Sequence, residues 1–360
     1  MEEGQGLSIP CAIRYVPDMP ATRRPVELSA LGEAELLDLR LRDLDVRMAG
    51  TPLAARALEL SIELGKRNLR FRPTIWLSSE WFSPEGVTGF AVPFYLAHPR
   101  LVRLERAQLL SVEGGGREQA MQLFRHECGH AIGTAYGLHR RKDWRAIFGR
   151  FSDHYPMFYQ AAPKSRDFVQ HLDAWYAQSH PAEDFAETFA VWLDPRSRWR
   201  ERYADWPALE KLEYVDKLMS GLAGKRPELL VRERTEELKT LSKTLRQHYA
   251  MKRAHYSATR PDVQDGDLLR LFSYDPKRAR ARSAARFLAR IRPAVRERVA
   301  RWTGEAAYTI DQVLKDMILR ARELDLSIEP RRKELLRDVE LLVAVQTMNY
   351  LHAGFHRRAR

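Results

Sequence analysis

Apolar residues recur three and four positions apart between Leu31 and Asn68, with Leu36, Leu37 and Leu41 on one face and then Ala54, Leu58 and Ile62. This spacing predicts two helices parted near Gly50-Thr51-Pro52. Phe71 to Ser78 reads as a short strand. After the turn at Pro84–Gly86, Val87 to His98 is rich in aromatic and β-branched residues, closes at Pro99, and reads as one or two strands. Leu101 to Leu110 has no clear period. Gly114-Gly115-Gly116 interrupts the pattern, as a flexible loop or as a mobile lip beside a cleft. Helical spacing returns from Arg117 to Tyr136, with Gly137 placed to cap it. Two more helices are predicted over Arg166–Ala177 and Pro181–Leu193; Pro181 opens the second and Asp194-Pro195 stops it. Beyond Pro207 the pattern is nearly all helical, broken near Gly224–Pro227, Pro261–Gly266, Pro276, Pro293 and Pro330. Residues 1–25, with four prolines, read as an irregular lead-in.

A chain of 360 residues exceeds one ordinary core, so two domains are expected. With 44% apolar and 30% charged residues it reads as soluble and globular, and no apolar run is long enough for a membrane helix. The first ten residues lack a basic start with an apolar follow-on, so no secretory signal is expected. Cys11 and Cys128 are the only cysteines. They make neither a disulfide framework nor a cysteine-rich zinc site, and a reducing cytoplasm is the default. The net charge of +12 is unevenly spread: residues 225–360 carry 31 basic against 18 acidic residues, and the remainder is nearly balanced. That asymmetry places a boundary near Gly224, giving domains over 1–224 and 225–360.

The chemistry lies in Phe124-Arg-His-Glu-Cys-Gly-His-Ala-Ile132. Histidines four apart on a helix project from one face, one turn apart, and both imidazoles can reach one zinc ion. His126 and His130 are therefore the expected metal ligands. Glu127 is the expected general base, since a zinc-activated water can give its proton to a neighbouring carboxylate. Leu123, Phe124, Ala131 and Ile132 give the helix an apolar body suited to a buried site, and Cys128 reads as small-residue packing. A catalytic zinc needs a third protein ligand and an open position. The best source is His180-Pro-Ala-Glu-Asp-Phe-Ala-Glu187, where Glu183 and Glu187 share a helix face. One carboxylate can bind the metal while the other accepts a ring N–H from a ligand histidine. Asp153, His154, His171 and Asp184 are rival ligands.

His-Glu-x-x-His followed by Glu-Asp-Phe-Ala-Glu resembles the gluzincin class of zinc peptidases and, in detail, the catalytic domain of anthrax lethal factor. Most of residues 30–217 resemble a bacterial family called putative zinc-binding metallopeptidases, on Phe71-Arg-Pro, Glu80-Trp-Phe, Pro93-Phe-Tyr-Leu-Ala-His-Pro99 and Glu183-Asp-Phe-Ala-Glu-Thr-Phe-Ala-Val-Trp192. The resemblance implies an α+β fold: a zincin-like catalytic domain with a small sheet and metal-binding helices, ahead of a mainly helical basic domain. It implies zinc as cofactor, Glu183 as third ligand, Glu187 as the partner of a ligand histidine, and Tyr176 as a donor to the oxyanion; for Tyr176 a packed aromatic beside Trp175 is the competing reading. It also implies a peptide or protein substrate bound along a sheet edge. Val87–His98 is the candidate edge, with an ordinary core strand as the alternative.

Lys277 to Arg301 holds ten basic residues and only Glu297 as an acid, with Phe287, Leu288, Ile291, Val295 and Val299 forming an apolar stripe. An arginine-rich helix packed in a bundle accounts for this; docking of an acidic substrate is the sharper reading. Nucleic acid is not expected, because no recognition motif appears and aromatic residues are sparse among the charges. The leading expectation is thus a cytoplasmic zinc hydrolase acting on peptide bonds. One alternative is a zinc-containing binding module whose basic domain docks an acidic protein or nucleic acid. Another is a basic domain that regulates access to the cleft.

Overall fold

The computed structural model describes residues 27–156, 158–159, 161–162, 164–257, 265–274, 283–328, 334–352 and 356–357. The expected lead-in with Cys11, the breaks at Pro261, Pro276 and Pro330, and the first part of the basic run at 277–282 lie outside the described residues. The N-terminal part begins with α1 (Glu33–Asp38) and α2 (Pro52–Lys66), the latter opened by Pro52. Strands β1 (Thr74–Ser78) and β2 (Gly89–Pro93) pair in parallel, with Thr74 opposite Gly89 and Ser78 opposite Pro93. The longer strand expected over Val87–His98 ends at Pro93, which has no N–H to continue a ladder; a 3₁₀ turn over Phe94–Ala97 follows. All five β2 residues are buried, and the Ala91 N–H donates to the Phe82 carbonyl at 2.8 Å on its far side. Val87–His98 is therefore a core segment and not an open edge.

The segment without clear period folds as α3 (Pro99–Leu109), with Pro99 in its first turn and His98 accepting from the Arg100 N–H. Next come α4 (Arg117–Ala135) and α5 (Lys142–Phe148). Gly137, at φ 57°, follows the end of α4, as its sequence position suggests. The helix expected over Arg166–Ala177 does not form. A 3₁₀ turn covers only Asp173–Gln178, after the short β3 (Phe158–Tyr159). The backbone ahead of that turn is engaged at long range: the Arg166 carbonyl accepts from Ala208, and the Gln170 N–H donates to the Tyr203 hydroxyl. Then follow α6 (Pro181–Leu193), α7 (Trp199–Arg202), α8 (Ala208–Leu222) and α9 (Leu245–Ser257).

The C-terminal part consists of α10 (Asp265–Leu271), β4 (Ser273–Tyr274), α11 (Ala284–Thr303), α12 (Ala307–Glu323), β5 (Leu326–Ser327), α13 (Leu335–His352) and β6 (His356–Arg357). β4 pairs with β5, and β3 with β6, both antiparallel. The whole is mostly helical with small two-stranded sheets, a mixed α+β protein. Among the described residues, no helix is long and apolar enough to cross a membrane.

Two hydrophobic cores account for this arrangement. One runs from Leu28 to Tyr249 and takes in Leu238, Leu245 and Tyr249 of the basic portion. The other joins Leu268 to Val343, with Leu288, Val295 and Val299 of the arginine-rich helix facing α12 and α13. α4 lies at the centre of the first core. Phe124 packs edge-on against Trp81 and Phe90, at 5.5 and 5.6 Å between ring centroids. Arg125, buried next to the metal motif, forms a two-bond pair with Glu63 of α2 (2.6 and 2.9 Å) and reaches Asp194 at the end of α6. Such a pair fixes relative position more than it adds stability, because both charges leave water.

Candidate metal centre

α4 and α6 cross at close range, and a missing side chain permits it. A Cβ on Gly129 would lie 2.9 Å from the Cα of Ala186 and 3.1 Å from its carbonyl oxygen. The helices therefore touch backbone to backbone, between the two histidines of α4 and next to His130. Pro181 opens α6, and the preceding His180 caps it by accepting from the Ala182 N–H at 3.1 Å. This start leaves Glu183 in the first turn, facing α4.

The result is a triangle of donor atoms. His126 Nε2, His130 Nε2 and Glu183 Oε2 are each 3.1 Å from the other two. A tetrahedral zinc ion with bonds of about 2.0–2.1 Å sets its ligand atoms roughly 3.3 Å apart, so the triangle has the right size. Among the described residues, these three form the group able to hold a metal ion. The neighbouring groups fit the same purpose. His126 Nδ1 lies 2.7 Å from Glu187 Oε1, which fixes the ring and turns its Nε2 lone pair toward the triangle. Glu187 is held in turn through its other oxygen by the Leu172 N–H at 2.8 Å.

Electrostatics agree. Burial opposes charge on His126, yet hydrogen bonds to Glu183 and Glu187 hold its pKa well above the ordinary histidine value. Burial likewise opposes charge on Glu183, but the two histidines draw its pKa well below the carboxylate range. The site thus favours a positive charge at its centre, as a proton or as a metal. Burial pushes Glu127 up, against the opposing influence of both histidines and Ser83. A carboxylate raised toward neutrality is suited to taking and returning a proton.

The rival ligands are engaged elsewhere or stand apart. Asp153 pairs with Arg150, His171 meets the Gln122 carbonyl at 3.1 Å, and Asp184 pairs with Lys211 at 2.7 Å. His154 is exposed on the wall of the same cavity. Cys128 is a buried free thiol whose pKa burial raises well above its usual value. Tyr176 lines the cavity, its ring 5.7 Å from that of His126.

Two contacts have no counterpart in the sequence reading. The Ser83 hydroxyl donates to Glu127 Oε2 at 2.9 Å, and the Tyr155 hydroxyl donates to Glu183 Oε1 at 3.0 Å, its ring stacked on His180. Both come from loops 28 to 44 positions away from the carboxylates they hold, so no local spacing announces them. The Ser83-Pro84 turn after Glu80-Trp-Phe is the only hint for the first.

The centre opens into a cavity of about 1640 Å³ lined by both parts of the chain. The N-terminal part contributes residues 79–85, 111–113 and the faces of α4 and α6. The chain beyond Gly224 contributes Lys243, α9 and the Thr303–Ala307 turn between α11 and α12.

Two helices thus offer His, His and Glu donors around one point, with a further carboxylate beside them, in an arrangement that could hold a metal ion. The family comparison agrees: residues 120–201 match the model of a family described as "putative zinc-binding metallo-peptidase". That span holds the helix carrying both histidines and the whole of α6. No curated protein and no solved structure matches the chain.

Proposed function

We propose that the protein is a zinc-dependent hydrolase of peptide bonds, of the gluzincin type and with a zincin-like catalytic domain. The observation that carries this reading is the 3.1 Å triangle of His126, His130 and Glu183 with Glu127 beside it in a large cavity. A zinc ion held by those three side chains supplies Lewis acidity toward the substrate carbonyl and water. Glu127 accepts a proton from the attacking water as the new C–O bond forms. It returns that proton to the leaving nitrogen as the C–N bond breaks, so the products are a carboxylic acid and an amine. Ser83 holds the carboxylate of Glu127 in place, and Glu187 keeps His126 in the ligating tautomer. Tyr176 is the proposed hydrogen-bond donor to the oxyanion. In this reading the basic helical part, 225–360, supplies one wall of the cleft. A metal serving only as a structural clamp has no use for a carboxylate poised like Glu127, which weighs against a pure binding module.

The test pairs metal content with turnover. Wild type is expected to hold about one zinc per chain and to cleave a mixed peptide library. His130→Ala and Glu183→Ala lose both, whereas Glu127→Gln keeps the metal and loses turnover. A Glu127→Gln variant that cleaves as fast as wild type removes the proposed base. A wild-type protein that takes up no zinc removes the whole reading.

A further inference from the structure

The charge of the cavity runs opposite to that of the chain. The protein has 60 lysines and arginines, yet among the described residues only Lys243 and Lys252 line the cavity, and no arginine does. Eight carboxylates line it. Of these, Glu127 and Glu183 belong to the metal centre and Asp153 pairs with Arg150. Lys252 is already engaged, 3.0 Å from Glu80 and 3.0 Å from Glu105. Glu113, on the loop before α4, and Asp173, at the start of the 3₁₀ turn before α6, face the cavity without an ion pair among the described residues.

A second observation comes from α9. His248 is 7% exposed and lines the same cavity, yet its Nε2 has no hydrogen-bond partner among the described residues. Burial and the charges of Lys252 and Lys243 push its pKa down to about 3, so the ring is neutral and can accept from a donor. Glu80, 3.9 Å from that nitrogen, lies between His248 and Lys252. Glu113 is within electrostatic reach of Lys252, Glu127 and Asp173, and its setting in the cleft together with the nearby carboxylates raises its pKa. Burial raises that of Asp173. Glu113 and Asp173 are solvent-exposed on the cavity wall, and carboxylates that share a cleft without a cation among them attract one. They are too far apart to share a metal ion: the metal-capable group among the described residues is His126, His130 and Glu183. Separated carboxylates plus a neutral acceptor suit the spread N–H donors of lysine and arginine side chains.

We propose that the cleft selects substrates carrying lysine or arginine close to the bond that is cut, with Glu113 and Asp173 as the specificity-determining residues and Glu80 and His248 lining the same pocket. This rests on the hydrolase reading for the position of the cut, while the charge selection stands on the cavity lining alone. It replaces the acidic substrate that the overall charge of the chain suggests. The basic surface of the C-terminal part points to solvent, and the cavity presents the opposite sign.

The experiment uses zinc-loaded full-length Glu127→Gln protein and three fluorescein-labelled decapeptides, rich in arginine and lysine, in glutamate, or in uncharged residues, with binding read by fluorescence anisotropy. The cationic peptide is expected to bind at least about tenfold more tightly than the other two, as a charge-assisted hydrogen bond implies. Glu113→Gln is expected to remove most of that margin and Glu113→Lys to turn it toward the glutamate peptide. Glu118→Lys, on an exposed side chain of α4 that does not line the cavity, should leave it unchanged. Equal binding of the three peptides overturns the proposal, as does a margin that Glu118→Lys moves as much as Glu113→Lys. Wild-type turnover separates the two readings. Cation-selective binding without cleavage overturns the hydrolase and leaves the selection standing. Cleavage of neutral and basic peptides at equal rates overturns the selection and leaves the hydrolase standing.

Discussion

Gly129 offers the sharpest perturbation of the metal centre, because it acts on spacing and removes no ligand. In Gly129→Ala the new Cβ meets the Ala186 Cα at 2.9 Å, the carbonyl oxygen at 3.1 Å and the Cβ at 3.3 Å. All three atoms are backbone or fixed to it, so no rotamer change relieves the contact. Reaching ordinary van der Waals distance requires α4 and α6 to part by roughly 0.5 Å. His126 and His130 sit three residues before and one after the substitution, and Glu183 lies one turn from Ala186, so the displacement falls on the donor triangle. Zinc sites tolerate about 0.2 Å in their bond lengths, and an opening of this size stretches the histidine–Glu183 edges beyond that. Overpacking costs roughly 1–3 kcal/mol, and the better helix propensity of alanine returns about 1 kcal/mol. The metal-free protein should therefore melt no more than a few degrees lower, while zinc affinity drops roughly ten- to a hundredfold, as for other losses of ligand positioning. Competition with a chromophoric chelator measures the affinity, and melts with and without zinc measure the stability. Gly133→Ala is the comparison: its Cβ meets only the Phe185 ring, at 3.3 Å, and that ring can yield. If Gly129→Ala binds zinc as tightly as wild type, the argument from helix contact is wrong.

Ser83→Ala should leave zinc affinity intact and lower turnover by about tenfold, since one hydrogen bond of roughly 1 kcal/mol or more is lost from the charged base. That bond lowers the pKa of Glu127, so its removal should carry the acid limb of the rate profile to higher pH; an unmoved limb refutes the contact. His248 predicts a stability profile. Its folded pKa of about 3 lies below its ordinary value of 6.5, so it contributes stability that is complete above pH 6.5 and declines as pH falls toward 3. Between pH 7 and 5 the wild type should lose roughly 2 kcal/mol more than His248→Gln in urea unfolding, and parallel profiles would count against a buried neutral ring.

The two helices that carry the candidate ligands were legible because their information is local. His126, Glu127 and His130 follow from spacing on one helix, and α6 matches the span expected from Pro181 to Leu193. Segments whose backbone groups bond at long range misled the reading. Residues 166–172 have the spacing of a helix, yet their carbonyls and N–H groups meet Ala208, Tyr203 and Glu187. Pro93 ended a strand that its neighbours would otherwise continue. The walls of the cleft were out of reach for the same reason: Ser83, Glu113, Tyr155 and His248 approach the centre from separate loops and helices. Net charge also averages over surfaces, and so it does not announce the carboxylates that line the cavity.

The cleft is a composite built from stretches of chain that lie far apart. The span matching the family model, 120–201, holds the candidate ligands His126, His130 and Glu183. The residues that would meet a substrate beyond the reacting bond come largely from 79–85, 111–113, 243–256 and 300–307. The matched span thus carries the candidate ligands and Asp173, while Glu80, Glu113 and His248 of the same cleft lie outside it. Likeness over that span therefore speaks to the candidate metal centre, whereas the charge of the cleft walls is set as much by segments outside it.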